Sequence, residues 1–144
     1  MRLMRRLGNQ RGTSTLEFLV VLPTLLFIFL ASLELSRAWL TSNIATNAAR
    51  EGARVGVVTP PPDPSSPSYN NGPAVTRVNE ILTAANLTAA SVSVTCSATA
   101  CPPDSQVQAT VVINFETVVP LFLPVLGTPG SPLVLTETVR MRRE

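Results

Sequence analysis

The chain contains no histidine and no lysine. Without imidazole there is no Ser-His or Cys-His pair to activate a nucleophile, and no histidine to ligate a metal. The acids are Glu17, Glu34, Glu51, Asp63, Glu80, Asp104, Glu116, Glu137 and Glu144, and no two stand at a spacing that suggests acid–base work or metal binding. Glycine patterns that cradle phosphates, of either the Walker or the dinucleotide type, are missing. These absences point away from an enzyme, a cofactor, a metal site and a small-molecule substrate. The lysine-free, Ala/Val/Thr/Pro-rich usage suggests a GC-rich genome, which concerns codons and not chemistry.

Charge is also scarce, at 14% of residues with a net value of +2. That small positive balance misleads. Arg2, Arg5, Arg6 and Arg11 all precede Gly12, and beyond Gly12 seven arginines face nine acids. No basic patch is left for nucleic acid, and no nucleic-acid-binding motif is visible. The positive charge reads as topological.

What the chain does have is an uneven distribution of apolar residues. At 144 residues it is long enough for one small domain and an anchor, and its 45% hydrophobic content is concentrated in residues 16–40. Phe18 to Leu33 is a run of sixteen residues without charge. At a rise of about 1.5 Å per residue, some twenty helical residues cross a bilayer core, so residues 18–40 suffice. Glu34 and Arg37 sit near the far end, where a snorkelling Arg37 and an interfacial Trp39 fit. The arginine-rich start predicts that residues 1–12 stay in the cytoplasm and the C-terminal portion lies outside.

Three readings of this segment compete. A secretory signal peptide shares the basic start, but its apolar region is shorter and Ala31-Ser32-Leu33-Glu34 is a poor cleavage site. A plain signal anchor, holding a permanent extracytoplasmic binding or adhesion protein, explains the span and orientation but not Glu17. A pilin-type precursor explains all of these. Glu17 lies five residues past Gly12, at the mouth of the apolar run. Cleavage after Gly12 would create an α-amine on Thr13, largely cationic at neutral pH. Glu17 of one subunit could then pair with the Thr13 amine of its neighbour and set the register of packed helices. Pro23 predicts a mild kink, with Thr24 and neighbouring helices compensating for the lost N–H.

Beyond the membrane the helix is expected to continue to about Val57. Ala48, Gly52 and Gly56 recur every fourth residue, and Ala45, Ala49 and Ala53 form an adjacent row. Small rows let another element approach the backbone closely. Arg50, Glu51 and Arg54 provide i,i+3 and i,i+4 charge pairs worth a few tenths of a kcal/mol. Arg50 reads as part of a solvated face.

Together these residues resemble the TadE-type minor pilins, or pseudopilins, of tight-adherence pilus systems. The matching pieces are Arg11-Gly12, Glu17-Phe18, Val21-Leu22-Pro23, Glu34, the run Asn47-Ala48-Ala49-Arg50-Glu51-Gly52-Ala53-Arg54, and the final Met141-Arg142-Arg143-Glu144. The resemblance covers residues 5–58 well and the rest loosely. Phe18 departs from it, since tyrosine often follows the glutamate. The resemblance implies processing by a prepilin peptidase between Gly12 and Thr13 and an assembly role for Glu17, Phe18 and Pro23. It implies other pilin subunits, a platform in the bacterial inner membrane and a cytoplasmic ATPase as partners, with membrane lipid around the helix. It also implies a head outside the membrane, which assembly could carry into an extracellular pilus. The chain is larger than a major pilin of this class, which implies a minor subunit.

The remainder predicts an extracytoplasmic head. Residues 59–73 read as a Pro-rich loop, and 74–144 as the head itself. A second helix is expected over about Pro73–Leu87, with Val75, Val78, Leu82 and Ala85 on one face and Asn86 near its end. The period then changes to two, in three stretches: Val92–Cys96, Val107–Phe115 and Leu133–Met141. They predict an antiparallel meander, apolar on one face, that the first helix and the second would cover. The fold class is therefore α+β and pilin-like. Cys96 and Cys101 are expected to be oxidised outside the cytoplasm, clamping a hairpin end; buried reduced thiols are the alternative. Residues 118–132, apolar and broken by prolines, read as a connection whose Leu121, Phe122, Leu123, Val125 and Leu126 dock on the core, touch the membrane or meet another subunit.

Overall fold

The computed structural model describes residues 10–59, 69–98, 101–117 and 132–144, with side chains from Thr15 onward. The leader residues 1–9, the centre of the Pro-rich loop and residues 118–131 of the apolar connection lie outside the described residues.

The first helix, α1, runs from Gln10 to Val58 without interruption and carries Pro23 inside it. Gln10, Arg11 and Gly12 are thus helical together with the residues expected to start the helix at Thr13. The second helix, α2, spans Gly72–Ala84. The strands are β1 (Ser91–Cys96), β2 (Gln106–Phe115) and β3 (Leu133–Arg142). They form an antiparallel sheet in the order β1-β2-β3, so the meander and the α+β class expected from the period are the ones found.

The helix ends follow local chemistry. Asn70 Oδ1 accepts from the Gly72 N–H at 3.0 Å, which satisfies one of the open donors of the first turn of α2. Asn71 turns away and donates to the Val94 carbonyl at 3.2 Å, tying the helix start to β1. At the other end Asn86 takes a left-handed φ of 55°. The Leu87 N–H then reaches the Leu82 carbonyl at 2.9 Å and the Asn86 N–H the Thr83 carbonyl at 3.0 Å, a Schellman ending. That stop ends α2 three residues before the expected Leu87, while its start lies one residue earlier, at Gly72. Its buried face is Ala74, Val78 and Leu82, with Val75 and Ala85 at the margin. The strict i, i+4, i+8 row is the one pointing at α1.

The core lies between the sheet and the two helices. Val107, Ala109, Val111, Ile113 and Phe115 of β2 are buried, as is Val94 of β1. The opposite sheet face carries Ser93, Thr110 and Thr138 in one cross-strand row and Thr95, Gln108 and Arg140 in the next. Arg140 donates to Gln108 Oε1 at 2.9 Å, so this face is a solvated polar ladder.

The small residues of α1 set how near the layers come. Ala45, Ala48, Ala49 and Ala53 are completely buried, and Gly52 and Gly56 are buried beside them. A methyl group on Gly52 would overlap Val78 Cγ2 of α2. On Gly56 it would overlap the Tyr69 hydroxyl and come within 2.9 Å of Val107 Cγ1. The roughly 1 kcal/mol of helix propensity that each glycine gives up relative to alanine is offset by this close packing.

Cys96 and Cys101 form a disulfide across the β1–β2 connection, so the reduced alternative does not hold. Ser105 packs against both sulfurs, at 3.2 and 3.3 Å, and donates to the Pro102 carbonyl at 2.6 Å. Tyr69, partly buried against Gly56, has its phenol pKa pushed above the ordinary 10.0 by burial, with Arg143 pulling the other way.

Gly52→Ala should lower the melting temperature, because an overlap costing about 1–3 kcal/mol outweighs about 1 kcal/mol of gained propensity. Adding Val78→Ala should recover part of that loss, giving a favourable coupling of about 1 kcal/mol in a thermal-unfolding cycle; strict additivity would show that the residues do not meet. Replacing Cys96 and Cys101 by serine should cost roughly 2 kcal/mol, as expected for so short a loop. Tyr69 is the one tyrosine of the chain, so alkaline titration of tyrosinate absorbance reads it alone. The native midpoint should exceed 10.0 and fall back to it in denaturant. The unfolded chain then loses the phenol proton first, so stability should decline as pH rises through this range.

Candidate functional site

The segment of α1 that precedes the head is apolar on every side. Leu16, Phe18, Leu19, Val20, Leu25, Ile28 and Phe29 are all more than half exposed. Its most apolar window has a mean hydropathy of 2.4 and none of that window is covered by the rest of the protein. A helix apolar all round and uncovered is a candidate membrane span, since water would leave several hundred Å² of hydrocarbon exposed. Its hydroxyls are satisfied internally, as a lipid environment requires. Thr24 donates to the Val20 carbonyl at 3.2 Å, Ser32 to Ile28 at 2.9 Å and Ser36 to Ser32 at 2.8 Å. Thr24 thus bonds one residue beyond the Leu19 carbonyl that Pro23 deprives of a helical donor.

Glu17 stands exposed on this apolar surface, and among the described residues no ion pair includes it. Gly12 and Thr13 lie in the first turns of the same helix, in the part described by backbone alone. Phe18 is 63% exposed, beside Glu17 on the outer surface and not in the core. Glu17, Phe18 and Pro23 therefore share a free helix surface that the head does not touch.

The other end of the span is built differently. Glu34 is buried, and its carboxylate accepts from Arg37 Nη1 at 3.2 and 3.4 Å. The Arg37 guanidinium lies over the Phe115 ring, 5.3 Å from its centroid. Both charges are thus neutralised at the junction between the span and the head. One turn further, Ser42 Oγ donates to Glu137 Oε1 of β3 at 2.6 Å. Glu137 falls on the inward face of its strand, with Leu135 and Val139. The alternation of apolar residues over Leu133–Met141 does not single out Glu137, a charged residue that nevertheless has the parity of Leu135 and Val139. The signal that could have found it is Ser42, a hydroxyl on α1 that faces the sheet.

Arg54 Nε donates to Glu51 Oε2 at 3.0 Å, and Arg50 is exposed. These charges line the outer side of α1, while Ala48, Gly52 and Gly56 occupy the opposite side against α2 and the sheet. The sequence-predicted residues therefore divide into two places about fifty Å apart along the helix, at about 1.5 Å per residue. Gly12 through Pro23 form the free apolar end, and Ala48 through Gly56 the packed end.

Among the described residues no group of three His, Cys, Asp or Glu side chains could hold a metal ion. A shallow groove of about 370 Å³ opens where α1 leaves the span, between Arg37, Leu40, Asn86, Thr88, Phe115 and Glu116.

No curated protein and no solved structure matches the chain. One family model does match, over the free end, the span and the packed small-residue end of α1, and stops before α2. Residues 12–54, from Gly12 to Arg54, match the family of TadE-like proteins, a family of structural, pilus-associated proteins.

Proposed function

We propose that the chain is a minor pilin or pseudopilin, a structural subunit that helps to build or prime a tight-adherence pilus. One observation carries this reading. The TadE-like match and the uncovered apolar helix coincide around a single carboxylate, Glu17, five residues beyond Gly12.

In this reading residues 1–12 are a basic cytoplasmic leader that a prepilin peptidase removes. Residues 18–40 cross the inner membrane, and the external head begins with α2, whose Gly72 and Pro73 are helical and not part of the expected loop. The four arginines of the leader hold it inside, which sends the head out. A disulfide in the head suits an oxidising compartment.

Cleavage supplies what Glu17 lacks. A carboxylate in a membrane helix costs about 2.5–3.5 kcal/mol at the centre of the bilayer and less near its edge. Once Gly12 is cut away, the Thr13 α-amine has a reference pKa near 8 and is cationic at neutral pH. Glu17 of one subunit pairs with that amine on the next, and a helix that slips leaves the carboxylate alone in an apolar seam. The uncut chain cannot do this, because Thr13 is then an amide and Arg11 lies nearby. Other pilin subunits and the membrane platform of the pilus are the partners. The head makes this a minor subunit and not the bulk of the fibre.

Mass spectrometry of protein extracted from membranes containing the peptidase should find the N-terminus at Thr13; a chain that keeps Met1 there overturns the reading. Glu17→Gln should abolish piliation at unchanged membrane level. Normal piliation by that variant would instead favour a permanently anchored extracytoplasmic binding protein.

A further inference from the structure

The groove at the head–span junction has walls of two kinds. Leu40, Leu87, Ile113 and Phe115 are apolar, while Asn86, Thr88, Asn114 and Glu116 are polar. Arg37 stands at its edge with its side chain about half exposed. Only Nη1 of its guanidinium is engaged with Glu34, and a guanidinium carries five N–H donors in all.

The depth of this groove is set by the helix. Twenty residues separate Glu17 from Arg37. At about 1.5 Å per residue that is about 30 Å, the thickness of a bilayer hydrocarbon core. With Glu17 at one boundary, Arg37 lies at the level of the opposite headgroups. Phe29 and Leu33 precede Arg37 by eight and four residues, so they occupy the same helix face two turns and one turn below it. They are 56% and 47% exposed. An apolar track therefore leads along α1 to a cationic group beside a cavity too small for acyl chains and large enough for a headgroup.

We propose that this groove binds the headgroup of a zwitterionic phospholipid of the outer leaflet. The Arg37 guanidinium receives the phosphate, Glu116 faces the ammonium, and one acyl chain lies along Leu33 and Phe29. The charges favour a zwitterion over an anionic lipid. Among the described residues Arg37 is the one cation lining the groove, it is already shared with Glu34, and Glu116 adds a negative charge. The bound lipid joins the head to the membrane surface and fixes the angle between them. This proposal rests on α1 spanning the membrane.

Native mass spectrometry tests it, using the full chain in non-ionic detergent with equimolar dioleoylphosphatidylethanolamine, dioleoylphosphatidylglycerol and dioleoylglycerol. One phosphatidylethanolamine per chain should be retained in preference to the other two. Arg37→Gln should weaken retention about tenfold, the loss expected for one charge-assisted hydrogen bond. Thr88→Trp, which fills the groove from an exposed position without touching the Arg37–Glu34 pair, should weaken it as much with the head still folded by thermal unfolding. Equal retention of dioleoylglycerol, preference for phosphatidylglycerol, or indifference to both variants would overturn the proposal. So would crosslinks showing that residues 118–131 of the same chain fill the groove. Alkaline extraction separates the two levels. A chain released as a peripheral protein refutes the membrane span itself, whereas an integral chain that retains no lipid refutes only the headgroup site.

Discussion

A single helix carries two kinds of surface, and the rest of the structure depends on where one gives way to the other. Over its first half α1 is uncovered and apolar all round, with its hydroxyls turned back onto its own carbonyls. Over its second half it is one-sided. Alanine and glycine face the protein, while Arg50 and Arg54 face water. Hydrocarbon requires internal hydrogen bonding and tolerates large side chains in every direction. A packed head requires one face narrow enough for a sheet and a second helix to come close. The change from bulky to small residues between Leu40 and Ala45 is where one requirement gives way to the other.

The packed half explains why a head of modest size has a closed core. Large side chains on α1 would hold the sheet and α2 apart and leave a thin, loosely filled interior. With Gly52 against Val78, and Gly56 against Tyr69 and Val107, the volume is supplied from the other side of the interface. β2 supplies most of it, because as the central strand it is buried along its whole inward face. The outward face is left to threonine, glutamine and arginine, which bond among themselves and to water.

Charge is handled according to depth. At the head–span junction Glu34 and Arg37 neutralise each other, and Phe115 gives the guanidinium an aromatic surface. Slightly higher, Glu137 is compensated by a hydroxyl from α1. A charge of that kind, left alone at the edge of a low-dielectric region, would work against the fold, and each is answered within the chain. Glu17 is treated differently, on a surface the head never reaches. That contrast between internally settled acids and one presented outward supports an intermolecular role for Glu17.

Much of this was legible along the chain. The charge-free run, the change of period from 3.6 to two and the rows of small residues depend only on local side-chain chemistry. They located both helices and all three strands, and Asn86 marked the end of α2 because a left-handed residue is tolerated there. Three-dimensional packing decided the rest. That Glu34 is buried, that Glu137 faces α1, and that Arg37 lies over Phe115 beside a groove are facts about residues far apart in sequence. No periodicity encodes them, because they arise only when the helix, the sheet and the α2–β1 turn converge at the end of the uncovered apolar segment.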